Sequence, residues 1–152
     1  MGLESKSFLK TVEPYQIDET IENFILDETM QRRLYDDLTE KTIILSLSTK
    51  CKACFEVMEK LDQYVGQAKD TAWIILIECE DEDVPIIRQA IPSQIRLYPF
   101  TREGSMQYMR VLGIPWITML HNRQVVVHHP YYEEGMLGWM EQLHVRAVAG
   151  VV

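Results

Sequence analysis

The chain has 152 residues, enough for one ordinary domain around a single buried core. Apolar residues make up 47% and charged residues 25%, the balance of a folded globular protein rather than a disordered or fibrous one. The formal charge of −8 argues against a grip on nucleic acid or anionic lipid, which needs clustered Lys and Arg. No segment reaches the ~18 apolar residues of a membrane span, and Met1 to Lys10 lacks the apolar stretch of a secretory signal. Two expectations follow. If the chain is complete the protein is cytoplasmic; otherwise an export signal or membrane anchor lies outside it.

In chain order, residues 1–16 form a polar, extended and peripheral lead-in. Between Ile17 and Leu38 the pattern is ambiguous: Ile21, Phe24 and Ile25 have helical spacing, while Asn23–Leu26 reads equally as a short strand. The run Thr42-Ile-Ile-Leu-Ser-Leu-Ser48 is β-branched and apolar, as in a buried central strand. Cys51 to Gly66 follows at once, with Phe55, Met58, Leu61 and Val65 at helical intervals and Gly66 as the stop. Ala72-Trp-Ile-Ile-Leu-Ile77 predicts a second buried strand, and acidic Glu78–Asp83 leads to a short helix at Val84–Ala90.

Ile95–Tyr98 predicts a short extended piece, followed by a turn at Arg102-Glu-Gly104 and a helix near Ser105–Arg110. Trp116–Leu120 and Gln124–His128 flank His121-Asn-Arg123 as an antiparallel hairpin. The closing helix, Glu133–Leu143, places Met136, Leu137, Met140 and Leu143 on one face, with Glu133 and Glu134 where its dipole favours them. This order predicts an α/β domain over 17–146, with a mainly parallel sheet between helices, an antiparallel edge, and a tail at 147–152.

The chemistry starts with three cysteines. Cys51 and Cys54 are spaced C-x-x-C; Cys79 stands alone and reads as a partly buried, inert thiol. A dithiol catalyst needs one thiolate that attacks and a second thiol within reach to release the mixed disulfide. Two intervening residues on the first turn of a helix give that reach. The unpaired N–H groups and positive dipole end at a helix start favour a thiolate there. Thiols in such motifs fall from about 8.5 to roughly 3.5–7.5. Lys50 and Lys52 flank Cys51 and push the same way, so Cys51 is the candidate nucleophile and Cys54 the resolving thiol.

Zinc knuckles also use C-x-x-C, but with a second ligand pair. Of His121, His128, His129 and His144, only the adjacent His128-His129 offers one. Neighbours on a strand point to opposite faces, so at most one of them would face the cysteines. Position favours redox work: the motif follows a buried strand and opens an amphipathic helix. A second feature is Gly113-Ile114-Pro115-Trp116, where a proline opens a strand and a cis bond is compatible with the sequence.

On the strand Thr42–Ser48, the motif Cys51–Cys54, the segment Val111–Trp116 and the terminal hairpin and helix, the chain resembles the thioredoxin superfamily. Within it, the TlpA/ResA-like thiol–disulfide oxidoreductases are most similar, over about residues 22–144. The resemblance implies a thioredoxin-like fold: a central mixed sheet flanked by helices, with a TlpA-type inserted strand and helix between Cys54 and Pro115. It implies a cis Pro115 against the active-site disulfide and an Ile114 whose backbone binds the substrate strand. Trp116 is a further candidate for the substrate groove. Protein or peptide disulfides would be the substrates and a partner dithiol protein the electron donor, with no organic cofactor. Such proteins usually act outside the cytoplasm, at the periplasm or cell surface, often as reductants.

Three departures stand out. Lys50 occupies the place where the family usually has Trp, and the dipeptide between the cysteines is Lys52-Ala53. Leu45 replaces the buried Asp of thioredoxin itself; the resemblance to TlpA-like proteins, which have a glutamate here, makes Glu78 and Glu80 candidate carboxylates for the proton of Cys54, although the residues alone favour a solvated acidic loop. Two alternatives from other classes stay open: a copper or zinc chaperone using Cys51, Cys54 and a histidine, and a redox-silent thioredoxin-fold interaction module.

Overall fold

A computed structural model describes residues 13–149, so most of the predicted N-terminal lead-in lies outside the described residues. Short strands β1 (Ile25–Asp27) and β2 (Arg32–Arg33) pair antiparallel and run into one turn of helix, α1 (Leu34–Asp37). Then come β3 (Lys41–Ser48), α2 (Lys52–Glu59), α3 (Leu61–Gln67), β4 (Ala72–Glu78), α4 (Val84–Ala90) and β5 (Arg96–Pro99). The chain closes with α5 (Arg102–Tyr108), β6 (Trp116–His121), β7 (Gln124–Pro130) and α6 (Met136–Ala149).

The main sheet has the order β5-β4-β3-β6-β7. β3, β4 and β5 are parallel; β6 runs antiparallel to β3, and β7 to β6. Both parallel crossovers step the same way across the sheet, so right-handed connections put α2, α3 and α4 on one face. Strand alternation separates two cores. Ile43, Leu45, Leu47, Trp73, Ile75, Ile77, Ile117 and Met119 face these helices and α6. Ile44, Ile74, Leu76, Trp116 and Leu120 face the N-terminal segment and the region after α5. Register sets the position of the site. Ser46 lies opposite Trp116, and Ser48 opposite Glu78. The residues after β3, those after β4 and those before β6 therefore meet at one end of the sheet.

The β6–β7 connection is a two-residue turn in which Asn122 and Arg123 both have positive φ, the conformation that matches strand twist. His121 belongs to the strand. The buried stripe of α2 and α3 is Cys54, Val57, Leu61, Tyr64 and Val65, so Phe55, read as core from spacing, is 48% exposed. The stripe of α6 is Met136, Trp139, Leu143 and Ala147, which turns Leu137 outward. The predicted turn at Arg102-Glu-Gly104 is instead helical. Thr101 Oγ1 accepts the Gly104 N–H at 2.9 Å and starts α5 early, and Gly104 is small because a Cβ there would meet the Phe100 ring at 3.1 Å. Tyr15 is only 4% exposed and Ala147 is buried, so packing extends beyond both ends of the 17–146 span. Asp37, with a fully buried side chain, ties α1 to β5 by accepting from Arg32 Nε (2.6 Å), Arg96 Nη1 (3.0 Å) and the Tyr98 hydroxyl.

Candidate active site

Cys51 is the N-cap of α2, in extended conformation, and its Sγ accepts the Cys54 N–H at 3.2 Å. The loop before it is pinned to β3 by the Cys51 N–H on the Ser48 carbonyl (3.2 Å) and the Lys50 N–H on Ser48 Oγ (3.1 Å). Cys51 is half-buried, Cys54 lies one turn in and is fully buried, and both are free thiols. Burial pushes the Cys54 thiol up, and its hydrogen bond with Cys51 adds to this; a backbone hydrogen bond at Ser48 and the charge of Arg102 pull it back. Lys50 and Lys52 are exposed, and among the described residues neither makes an ion pair.

Beneath the loop, Ser48 Oγ donates to Glu78 Oε1 at 2.8 Å, and Arg102 Nη2 stands 3.7 Å from the same oxygen. Glu78 is thus wired into the strand end that carries the cysteines, whereas Glu80 is exposed and outside this network. Arg102 was not legible in the sequence, because it reaches the site only through the early start of α5. Cys79 is half-buried; burial raises its thiol first, and the charges of Asp83, Asp81 and Glu80 add to that.

The Ile114–Pro115 bond is cis, and Ile114, like Cys51, packs half-buried against the helix-side core. Pro115 shares a cavity of about 130 Å³ with Ala53 and Val57 of α2 and with Tyr131 and Tyr132. Trp116, a candidate for the groove, is placed elsewhere: it is 5% exposed and faces the rear core, and the strand pleat turns it away from Cys54. There its Nε1 donates to His128 Nδ1 at 3.2 Å, Thr118 Oγ1 lies 2.9 Å from the same nitrogen, and His128 Nε2 is 3.1 Å from the Arg110 carbonyl. Burial holds the His128 ring well towards its neutral form.

On the front, Tyr131 donates its N–H to the Pro115 carbonyl at 2.9 Å and its hydroxyl to Glu133 Oε2 at 2.7 Å. Tyr64 donates to Glu133 Oε1, and Lys60, at the joint of α2 and α3, lies 3.7 Å from it. Burial pushes the Glu133 carboxyl up, but the hydrogen bonds from Tyr64 and Tyr131 and the charge of Lys60 outweigh it, leaving a net depression. A depressed folded value stabilises the fold above the unfolded carboxylate range and loses that stabilisation as the pH falls through the folded value. Glu133→Gln is therefore expected to cost about 1 kcal/mol at pH 7, a hydrogen-bond-sized effect reduced by partial exposure, and less near pH 3. Denaturant titrations of both proteins at the two pH values check this; an equal difference at both would refute it.

Among the described residues, no three His, Cys, Asp or Glu side chains converge as a metal site. Of the two histidines open to the metal-chaperone alternative, His128 bonds Trp116 on the rear face and His129 is exposed, beside Tyr132 and Trp139. Among the described residues, no helix is long and apolar enough to cross a membrane.

No protein-family model matches the chain, and no curated protein matches it. Solved structures do. A protein assigned as thiol:disulfide interchange protein DsbE, from Chlorobium tepidum, superposes with a TM-score of 0.68 at 16% identity, covering 87% of this chain and 97% of its own. The thioredoxin domain of a thiol-disulfide oxidoreductase from Bacteroides vulgatus gives 0.64 at 11% identity, covering 84% and 97%. An exposed lipoprotein thioredoxin from Streptococcus pneumoniae gives 0.62 at 14% identity, covering 80% and 100%. With its five-stranded mixed sheet between helices, this chain has the thioredoxin-like fold.

Proposed function

We propose that the protein is a thiol–disulfide oxidoreductase of the TlpA/ResA-like kind, acting as a reductant on protein or peptide disulfides. The observation that carries this reading is the seat of Cys51 Sγ at the start of α2, receiving the Cys54 N–H, on a helix whose Ala53 and Val57 share a cavity with cis Pro115. The Cys51 thiolate attacks one substrate sulfur, forms a Cys51–substrate disulfide and releases the other substrate sulfur as a thiolate. Cys54 then gives up its proton and attacks Cys51 Sγ. The second substrate thiol leaves, and a Cys51–Cys54 disulfide remains. Two electrons pass to the substrate, and a partner dithiol protein returns them; no organic cofactor enters the cycle.

Within this reading, Ile114 and Pro115 bind the substrate strand, Lys50 and Lys52 favour the thiolate at Cys51, and Glu78, bonded to Ser48 at the strand end before the cysteines, is the better supported of the two candidate carboxylates for the proton of Cys54. Glu80 has no support from its exposed position. The helix α4 and strand β5 correspond to the TlpA-type insertion. An extracytoplasmic location agrees with the resemblance and with the likeness to an exposed lipoprotein thioredoxin.

The test is to mix the reduced protein with a disulfide-bonded peptide and map its thiols by mass. The expected result is loss of the Cys51 and Cys54 thiols, one pair per peptide disulfide reduced, with Cys79 still free. If Cys51 and Cys54 stay reduced beside excess disulfide, the proposal fails and the redox-silent module takes its place.

A further inference from the structure

A second cavity, of about 160 Å³, adjoins Ile114 on the side away from α2, between α5 and the loop before Pro115. Its lining is Met106, Val111, Leu112, Gly113 and Ile114, with Arg102 as the one charged member. An apolar space of roughly 150 Å³ holds a benzene-sized group. This cavity therefore matches one leucine-, methionine- or phenylalanine-sized side chain. Leu112, 59% exposed, is an apolar wall that nothing in the described chain covers.

Two observations on the adjoining backbone say what arrives there. Among the described residues, neither the N–H nor the carbonyl of Ile114 has a hydrogen-bond partner, so it offers an edge to an extended strand. At Gly113, a Cβ would meet nothing within 4 Å, so the approach over this residue is open and a passing backbone can lie close to it. A strand paired to Ile114 projects alternate side chains to opposite sides, and the cavity lies within reach of one of them.

Resting on the oxidoreductase reading, we infer that the cavity between α5 and residues 111–114 is a specificity pocket for an apolar side chain flanking the substrate's reactive cysteine. The substrate class is thus narrowed to extended segments with a large aliphatic or aromatic residue within two positions of the cysteine. Arg102 is already engaged by Glu78, and it stands at the side of the pocket rather than as its reader.

The experiment uses disulfide-linked peptides in a glycine–serine background, with leucine moved through the two positions on either side of the cysteine. The reduced protein should reduce one leucine peptide about tenfold faster than the leucine-free peptide, the discrimination typical of a small hydrophobic pocket. Aspartate at that position should give no gain, and Leu112→Gln should bring the leucine-to-glycine ratio close to one. Equal rates for every peptide overturn the inference. So does a gain from aspartate, which would make Arg102 the recognising group. Binding is followed separately by amide NMR shifts of Gly113 and Ile114, with cysteine replaced by serine in each peptide. A leucine peptide should move these signals and the leucine-free one should not. This readout decides the pocket even if the protein fails to reduce any disulfide, which would count only against the oxidoreductase reading.

Discussion

Cys54→Ser is expected to hold a disulfide partner covalently on Cys51, and Cys51→Ser is expected to capture nothing. In the proposed cycle the first attack needs only Cys51, which is half-buried and reachable; release needs Cys54, fully buried one turn below it. In that cycle the release is intramolecular, with the two cysteines at the start of the same helix. Without Cys54, only a thiol from solution can cleave the adduct. Positioned groups react with effective concentrations so far above those of ordinary solutes that adduct lifetime should rise on the order of 10³-fold or more. Non-reducing electrophoresis and mass mapping after incubation with a disulfide peptide check this. The adduct should sit on Cys51, disappear with dithiothreitol, and form equally well when Cys79 is also replaced by alanine. Adducts that resolve as fast as in the native protein, or that map to Cys79, would remove Cys54 from its assigned role.

Asp37→Ala is expected to destabilise the fold by about 3–5 kcal/mol, the cost of breaking a buried ion pair from one side. The carboxylate has no exposed surface and holds three donors, Arg32, Arg96 and the Tyr98 hydroxyl, which join the N-terminal hairpin to the edge strand β5. Its removal leaves Tyr98 and part of Arg32 without the acceptor around which they are packed. For a chain of this size the melting temperature should fall by roughly 6–20 °C. Tyr98→Phe should cost less than this alone, and the double variant less than the sum, because the two share one network. Thermal and denaturant unfolding measure both. A loss under about 1 kcal/mol for Asp37→Ala would mean that solvent takes over the role of the carboxylate.

The middle of the sheet was legible because β3 and β4 each hold an unbroken run of Ile and Leu, and C-x-x-C between a buried strand and a helix is hard to misplace. Val84–Ala90 has the predicted bounds because proline near its start and an apolar repeat agree on them. Faces were harder to read. Phe55 and Leu137 sit at acceptable helical intervals, and only the competing claims of Cys54 and Trp139 for the interior decide which side is buried. Gly104 signalled a turn, whereas it serves close packing against Phe100 inside a helix capped by Thr101. Arg102, Tyr64 and Glu133 are far apart in sequence from the residues they serve, and no local pattern announces such partners. Trp116 shows the limit of adjacency: one residue beyond Pro115, the pleat already points it to the other side.

The rear array of Trp116, Thr118 and His128 has a consequence for protein engineering. His128 grips the Arg110 carbonyl, and Arg110, itself in a left-handed conformation, stacks on Tyr15 and pairs with Glu19 and Glu22. The shape of residues 111–115 is thereby set partly from behind. Transplanting that loop alone onto another scaffold should not transfer its shape; the histidine, its two partners and the arginine form the smallest unit worth grafting.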